Sequence, residues 1–297
     1  MPAIEVDIAR IQHLHPARVV VAVSGGSDSL SLLHILQSQL TGIELLCATV
    51  DHNLRPTSAA EADQVARHCA SIGISHSTLR WDPAGPANSA EARSARYELL
   101  MEFARLKNAQ IMALGHTLDD QAETVFMRAQ RMRRDSSTFG LSGIAEWATC
   151  DDIKLWRPLL AVSRIQLRNM LETKDISWID DPSNLDCSYE RIRVRQLLAT
   201  NDPSIPNRRD LVRLAESSAT ARRWLNQQTA QLIGKYAEAL AARQWQLKCA
   251  PQVPTRIQTE ALAWMVQLVG EQDYRPAIAK LAPIIAAAIA STPEPQP

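Results

Sequence analysis

The chain lacks the features that mark membrane-spanning, secreted and zinc-binding proteins. Its most apolar stretch, residues 277–290, is too short to span a bilayer and is interrupted by Lys280 and Pro283. No apolar signal segment opens the sequence, where Glu5 and Asp7 stand instead. The five cysteines form neither a Cys-x-x-Cys pair nor a cluster with histidine at zinc spacing. We therefore expect a cytoplasmic protein with reduced cysteines, no membrane partner, and no zinc or iron–sulfur cluster.

A net charge is also lacking, because 32 basic and 32 acidic residues balance among the 297. Nucleic-acid-binding proteins usually carry a basic excess, so the balance taken alone weakly disfavours such a partner. The charge is unevenly distributed, however. Residues 201–297 contain 11 basic and 8 acidic residues, a net charge of +3, which leaves −3 for the rest. The two parts of the chain are therefore expected to have different roles.

Strand-like and helix-like segments alternate over the first part of the chain. Apolar runs at 18–23 and 43–50 are typical of buried strands, and leucines at helical spacing fill residues 29–40 between them. The same pattern predicts further helices at 58–72, 89–106 and 118–131, and further strands at 75–81 and 110–114. This alternation predicts an α/β fold with a doubly wound, mostly parallel sheet.

The composition changes at a polar, proline-containing segment, residues 201–207. Beyond it the chain is rich in Ala, Leu and Gln at helical spacing, without strand alternation. We predict a catalytic domain at 1–200 and a smaller C-terminal α-helical domain at 201–297. The closing residues 292–297 are expected to be disordered.

A phosphate-binding loop is predicted where the first strand meets the first helix. Two glycines, three hydroxyls and one carboxylate occur together there: Ser24, Gly25, Gly26, Ser27, Asp28 and Ser29. Glycines let the backbone approach a ligand, and a helix N-terminus with nearby hydroxyls donates hydrogen bonds to an anion. The run lacks the lysine of the Walker loop and the third glycine of the dinucleotide fingerprint. It favours a phosphate cradle over a glycine turn that is merely capped by Ser and Asp.

This loop resembles that of the PP-loop, or N-type, ATP pyrophosphatases, and four further segments resemble the tRNA(Ile)-lysidine synthetase family within that group. The segments are 50–55 (VDHNLR), 91–97 (EARSARY), 115–124 (GHTLDDQAET), and 156–160 taken with 178–186 and 189–191. The resemblance implies an adenine nucleotide α-hydrolase-like fold. It also implies an ATP-dependent ligase that forms a carbon–nitrogen bond, with ATP and Mg²⁺ bound at the loop.

The reaction that the resemblance implies has two steps. ATP adenylates the C2 oxygen of the wobble cytidine in the CAU anticodon of tRNA(Ile), releasing pyrophosphate. The ε-amine of free L-lysine then attacks C2, expels AMP and leaves lysidine, which changes the codon specificity from Met to Ile. The oligomeric state is open, with a homodimer among the candidates.

Residue roles follow from the matched motifs. The resemblance assigns ATP binding to the loop residues 24–29 with Asp51, His52 and His116, and catalysis to Asp28, Arg93 and Arg96. Asp28 is also the candidate Mg²⁺ ligand. Two alternatives stay open: His52 and His116 are structural, or Arg93 and Arg96 only form surface ion pairs with Glu91 and Glu98.

Acidic residues at the start of the 118–131 helix are the candidate lysine site. Asp119, Asp120 and Glu123 can share one helix face, and clustered anions beside ATP need a cation, which lysine or magnesium could supply. The family resemblance favours lysine. The alternative is that Asp119 or Asp120 only caps the helix and that Glu123 is solvated.

Arginine-rich segments are the candidate tRNA contacts. The residues are Arg128, Arg131, Arg191, Arg193 and Arg195. Arginines in such sets hold a nucleic-acid backbone rather than read its sequence. For any single one, a solvated helix face is an equally simple explanation.

The chain departs from the family pattern in three places. The loop at 131–139 lacks the early glycines of the family, and the segment 191–195 keeps the arginines but not the asparagine. Many relatives also carry a further C-terminal domain. Two other functions stay open: a tRNA-thiolating enzyme of the same fold, and a non-catalytic nucleotide-binding or tRNA-binding module.

Overall fold

The computed structural model describes residues 4–53, 57–83, 85, 88–132, 141–181, 186–200, 202–241, 243–248, 250, 252–271 and 275–290. Several sequence predictions lie outside these residues. They concern Leu54 and Arg55 of the segment 50–55, and residues 182–185 of the segment 178–186. Residues 133–139 of the divergent loop and the tail at 292–297 also lie outside. The described chain divides into two compact units, Met1–Glu216 and Ser217–Pro297.

A six-stranded sheet forms the centre of the first unit. Its strands are β1 (Arg18–Ala22), β2 (Glu44–Asp51), β3 (Ser75–Arg80), β4 (Ile111–Leu114), β5 (Trp147–Cys150) and β6 (Ile153–Trp156). They lie in the order β3-β2-β1-β4-β6-β5. All neighbours pair in parallel except β5 and β6. The predicted mostly parallel α/β sheet is therefore confirmed.

Helices flank the sheet in the first unit. They are α1 (Ala9–Leu14), α2 (Ser27–Gln39), α3 (Ser58–Ser71), α4 (Ser89–Leu106), α5 (Leu118–Met132), α6 (Arg164–Thr173), α7 (Glu190–Leu198) and the first part of α8 (Arg208–Tyr236). No helix among the described residues is long and apolar enough to cross a membrane.

Alternate residues of β1 belong to different hydrophobic clusters, which identifies two covered faces. Val19 and Val21 pack in a cluster with residues of α2, α3 and α6. Val20 packs in the other cluster, with residues of α4. Because strand side chains alternate between faces, helices must cover both sides of the sheet, as in a doubly wound fold.

The first unit contains two strands that the sequence analysis did not predict. Strands β5 and β6 are only four residues long, and they are joined through Asp151, whose φ is 50°. The first compact unit extends to Glu216. The physical reason is that Leu211 and Ala215 pack in one cluster with Val125 of α5 and Val194 of α7.

The second unit contains the rest of α8, α9 (Thr255–Val269), α10 (Ile278–Ala290) and an antiparallel hairpin. The hairpin strands are β7 (Ala237–Ala241) and β8 (Gln244–Leu247). The predicted helical C-terminal region is present, but the expectation that it has no strands is wrong for this hairpin. Gln258 is buried in α9 and bonds the backbone of Ala250 and Val253, so it fixes the preceding segment.

Candidate active site

The phosphate loop, Ser24–Ser29, lies where the order of the strands reverses. Strand β1 has β2 on one side and β4 on the other, and the chain visits β2 and β3 before it returns to β4. Open α/β sheets bind ligands beyond the carboxyl ends of strands at such a switch point. The phosphate loop follows β1, and Gly115 and His116 follow β4. Two of the sequence motifs therefore meet at one crevice.

Glycines permit the close packing of this crevice. Gly25 has φ of +84°, and a Cβ there would lie 2.6 Å from Cδ1 of Ile179. A Cβ on Gly115 would lie 3.2 Å from the backbone of Ser29, so α2 starts directly against the segment after β4. Gly26, in contrast, has an ordinary extended backbone as the N-cap of α2, and a Cβ there would meet no protein atom closer than 3.7 Å. Gly26 thus leaves room for a ligand.

Hydroxyl groups hold the phosphate loop in shape. The Ser24 amide donates to Oγ of Ser29 at 3.1 Å, and that hydroxyl donates to the Gly26 carbonyl at 3.0 Å. Helix α2 begins at Ser27, so the amides of its first turn have no acceptor within the helix. These amides make the loop suitable for an anion.

Asp28 faces an arginine that the sequence prediction does not include. Nε of Arg164 donates to Oδ2 of Asp28 at 3.0 Å, and the Ser27 hydroxyl donates to Oδ1 at 3.2 Å. Burial raises the pKa of Asp28 above its ordinary value, although Arg164 opposes this effect. The carboxylate is therefore incompletely compensated and can accept a further cation.

An acid–arginine cluster lies at the start of α5. It consists of Asp119, Asp120, Glu123, Arg164, Arg191, Arg195 and Arg208. Arg191 bonds both Asp120, at 2.9 Å, and Glu123, at 2.7 Å. Arg195 bonds Glu123 at 2.7 Å, and Arg208 pairs with Asp119 at 3.0 Å. The cluster thus joins α5 to α6, α7 and α8.

Charges within the acid–arginine cluster balance one another. Glu123 is only 1% exposed, yet three arginines, Arg164, Arg191 and Arg195, lie within ion-pair distance of it. Burial alone would raise the pKa of Asp120, but Arg191 and Arg164 lower it below its usual value. For Arg164, burial is outweighed by Asp28 and Asp120, so its pKa is raised. The three predicted lysine-binding carboxylates are brought together, but arginines already neutralise them.

The helix that carries these acids is capped by a different residue from the one expected. Thr117 precedes α5, and its Oγ1 accepts from the amide of Asp120 at 3.3 Å. Oδ2 of Asp120 in turn accepts from the Thr117 amide at 2.8 Å. This reciprocal pair is a capping box, in which Asp120 holds the N3 position.

A basic region surrounds the ends of β2 and β4. Burial lowers the pKa of His52, with a contribution from Arg96, and lowers the pKa of His116 to about 4, with contributions from Arg157 and Arg93. Both histidines are therefore neutral at pH 7. Neither Arg93 nor Arg96 forms an ion pair with an acid of the described chain; both lie near the ring of Tyr97.

The partners of Glu91 and Glu98 explain why the predicted surface pairs do not form. Glu91 accepts from the Asn88 amide in the capping box of α4, and Glu98 accepts from the hydroxyl of Ser94. The guanidinium groups of Arg93 and Arg96 are thus left for a ligand in the crevice.

Asp51 stabilises the backbone turn after β2. Its Oδ1 accepts from the Asn53 amide at 2.9 Å, where Asn53 has a positive φ of 50°. Burial alone would raise its pKa, but hydrogen bonds from Ser58 and Asn53 lower it below the usual value. This turn places His52 beside Trp81, with ring centroids 5.8 Å apart.

Arginines predicted to contact tRNA differ in their surroundings. Arg131 and Arg193 are exposed, and Arg128 is half-buried with a bond to the Gly143 carbonyl. Arg131 pairs with Glu190, and Arg193 bonds the carbonyls of Cys187 and Ser188. Arg191 and Arg195 belong to the acid–arginine cluster instead. The five residues therefore do not form one uniform free patch.

Known proteins resemble different portions of the chain. A tRNA(Ile)-lysidine synthase from Rhizobium meliloti is 43% identical over 218 residues, which cover 68% of this chain and 48% of that protein. The Mesorhizobium japonicum tRNA(Ile)-lysidine synthase is 44% identical, over 73% of this chain and 50% of that protein. The chain thus spans about half the length of these curated relatives.

The solved structures include a matching fold. A U34-tRNA thiolase from Methanococcus maripaludis has a TM-score of 0.56 and 20% identity, over 68% of this chain and 72% of that one. At this identity the match establishes the fold only. The family model described as a PP-loop domain matches residues 2–201. Because that match covers more than half of the chain, the chain belongs to the PP-loop domain family.

Proposed function

We propose that this chain carries out the lysidine-forming reaction. ATP adenylates the wobble cytidine of tRNA(Ile) with a CAU anticodon, and free lysine then displaces AMP. The observation that carries the proposal is the intact phosphate loop at the switch point of the sheet, combined with 43–44% identity to tRNA(Ile)-lysidine synthases. The same resemblance supports a cytoplasmic location and makes a homodimer the assembly to test.

ATP is proposed to bind with its phosphates on residues 24–29. The free amides of the first turn of α2 and the open side of Gly26 support this placement. Arg93 and Arg96 act on the histidines of the crevice and form no ion pair with an acid of the described chain, so they would stabilise negative charge that develops at the α-phosphorus. Asp51, His52 and His116 would line the nucleotide site at the ends of the neighbouring strands.

Asp28 fits a magnesium ion that is shared with the substrate. Mg²⁺ in nucleotide sites typically takes one or two protein carboxylates, with phosphate oxygens and waters as the other ligands. A single partly compensated carboxylate at the phosphate loop meets that requirement, and the described residues contain no cluster of three or more ligand side chains. When bound, the ion would neutralise phosphate charge as pyrophosphate leaves.

Lysine is proposed to bind beside Asp119, Asp120 and Glu123. Glu123 is fully buried between arginines, so it would act through the electric field that it sets up, while the less buried Asp119 would contact an ammonium group. The lysine ammonium would have to compete with Arg208 for Asp119. Lysine binding should therefore be weaker in a variant that strengthens that ion pair.

The proposed tRNA-binding residues, through direct contact or through positioning of the helices, are Arg128, Arg131, Arg191, Arg193 and Arg195. Arg131 and Arg193 are the exposed members and would make direct contacts, whereas Arg191 and Arg195 would position α7. Because the whole chain carries no net charge, tRNA binding should rely on local basic patches and should be modest and salt-sensitive.

A direct assay tests the proposal. The protein is incubated with ATP, Mg²⁺, radiolabelled lysine and a tRNA(Ile) transcript that carries CAU. The expected result is lysine-dependent label in the tRNA, with one pyrophosphate released per lysine joined. A transcript with uridine at the wobble position and the Asp28→Asn variant are the matched controls, and both should remain unlabelled. A folded, ATP-binding wild-type protein that incorporates no label would refute the proposal.

A further inference from the structure

Arg157 is a buried arginine without an acidic partner. It directly follows β6, is 8% exposed, and forms no ion pair with any carboxylate of the described chain. Its Nη1 donates to the Ala145 carbonyl at 2.8 Å, while its Nε is buried with no hydrogen-bond partner. Buried charges in proteins are normally paired, but no carboxylate among the described residues serves as the counter-ion of this guanidinium.

The position of Arg157 places this charge at the crevice. Strands β4 and β6 run parallel, with Ala113 level with Trp156, so Arg157 leaves the sheet beside Leu114. His116 follows two residues later, and its Nδ1 is also buried without a hydrogen-bond partner. The charge of Arg157 acts on His116 directly, as does that of Arg93. Two orphaned polar groups thus occur at the same sheet edge.

An acid that acts on His116 is already engaged by other groups. Asp120 also acts on His116, but its two oxygens are already taken by Thr117 and Arg191. Arg93, which approaches from α4, brings a further positive charge and no acid. The surroundings of His116 therefore carry more positive than negative charge, which favours an anion there.

We propose that Arg157 and His116 form a binding subsite for an anionic oxygen group of a substrate. A guanidinium suits a carboxylate or a phosphate because both present paired oxygens. Under the proposed function, on which this inference rests for the identity of its ligands, two groups qualify. One is the α-carboxylate of lysine, and the other is a phosphate of ATP.

Calorimetric binding distinguishes the two sources without requiring turnover. Lysine, cadaverine and a non-hydrolysable ATP analogue are titrated into the wild-type protein and the Arg157→Gln variant. Cadaverine keeps both amines of lysine but lacks the carboxylate. The glutamine removes the charge but keeps a polar side chain, and Arg18→Gln, at an exposed arginine paired with Glu44, is the matched control.

Each outcome decides the proposal. If the subsite binds the carboxylate, Arg157→Gln should weaken lysine binding roughly 10–100-fold and leave cadaverine unchanged. If it binds phosphate, the substitution should weaken binding of the ATP analogue by a similar factor. The ratio of the lysine affinity to the cadaverine affinity should then stay constant. A folded variant that binds all three ligands like the wild type would overturn the subsite. Thermal unfolding of Arg157→Gln and Arg157→Lys confirms folding.

Failure of the proposed function has a different signature. A wild-type protein that binds these ligands but attaches no lysine to tRNA would refute lysidine formation and leave the subsite standing. His116→Ala should weaken binding of the same ligand as Arg157→Gln. The double variant should lose less binding free energy than the sum of the losses in the two single variants. Fully additive losses would show that the two side chains do not share a ligand.

Discussion

The phosphate loop and the acid–arginine cluster lie at the same edge of the sheet, but their charges are satisfied in opposite ways. In the phosphate loop, Asp28 has one arginine partner, and the amides at the start of α2 have no acceptor in the helix. In the acid–arginine cluster, every carboxylate has an arginine within ion-pair distance. The comparison indicates that the loop is organised to receive a ligand, whereas much of the cluster holds four helices together.

Glu123→Ala should produce the largest loss of stability. It would remove the buried common partner of the half-buried Arg191 and Arg195, leaving positive charge uncompensated between α5 and α7. Breaking a buried pair in this way typically costs about 3–5 kcal/mol. Urea unfolding measures the change. The matched control is Glu190→Ala, which breaks an exposed pair with Arg131 and should cost less than about 1 kcal/mol. Equal losses in the two variants would show that the cluster is not structural.

Asp28→Asn should show the reverse pattern. Because burial already disfavours its charge, removing that charge should change stability by less than about 1 kcal/mol. Adenylation should nevertheless fall about 10²–10³-fold, since a preorganised charge next to the phosphates is lost. Pyrophosphate release in single-turnover experiments is the measurement. A variant that is destabilised yet fully active would reverse the roles assigned to the two regions.

His116 makes stability depend on pH. Its pKa is lowered from 6.5 to about 4 by burial, so between these values the unfolded chain binds a proton that the folded chain does not. Stability from this group is complete above pH 6.5 and is lost as the pH falls towards 4. His116→Gln should flatten the pH dependence of unfolding by about 2–3 kcal/mol over that window. If the free energy of unfolding fell equally with pH in the wild type and in His116→Gln, the burial assigned to His116 would be contradicted.

Gly25 and Gly26 test the loop at single-residue resolution. Gly25→Ala must accommodate a positive φ and a contact with Ile179, which should cost about 1–3 kcal/mol of stability. Gly26→Ala should be nearly neutral for stability but should weaken ATP binding, because its methyl group would occupy the space left for phosphate. Thermal unfolding and ATP-analogue titration of both variants separate the two effects. Similar behaviour of the two variants would remove the distinction.

Much of the fold could be predicted from sequence because its buried strands are marked by periodicity. The first four predicted strands and the helices between them agree with the structure within about two residues at each end. Strands β5 and β6 escape prediction because their four residues, WATC and IKLW, mix polar and apolar side chains, whereas the equally short β4 is wholly apolar. The hairpin of the second unit escapes because alanine, leucine and glutamine favour helices, and only its pairing makes these segments strands.

The partners within the site were much harder to predict than its location. The resemblance assigned His116 and the phosphate loop to one ATP site, and the structure brings them together because the parallel strands before them end at one edge of the sheet. Which arginine meets which acid depends on the packing of α5 against α6, α7 and α8, and no local pattern encodes it. One sequence signal pointed to the element that carries Arg164. Ser163 and Gln166 form a capping box, which marks the start of α6 at Arg164.

Mass spectrometry of the wobble nucleoside tests the proposed reaction most directly. The protein is incubated with ATP, Mg²⁺, lysine and the CAU-bearing tRNA(Ile) transcript, and the tRNA is then digested to nucleosides. We predict a cytidine derivative whose mass has increased by that of lysine less one water, formed only when both ATP and lysine are present. An unmodified cytidine, or a nucleoside that has gained sulfur instead, would contradict the proposed function.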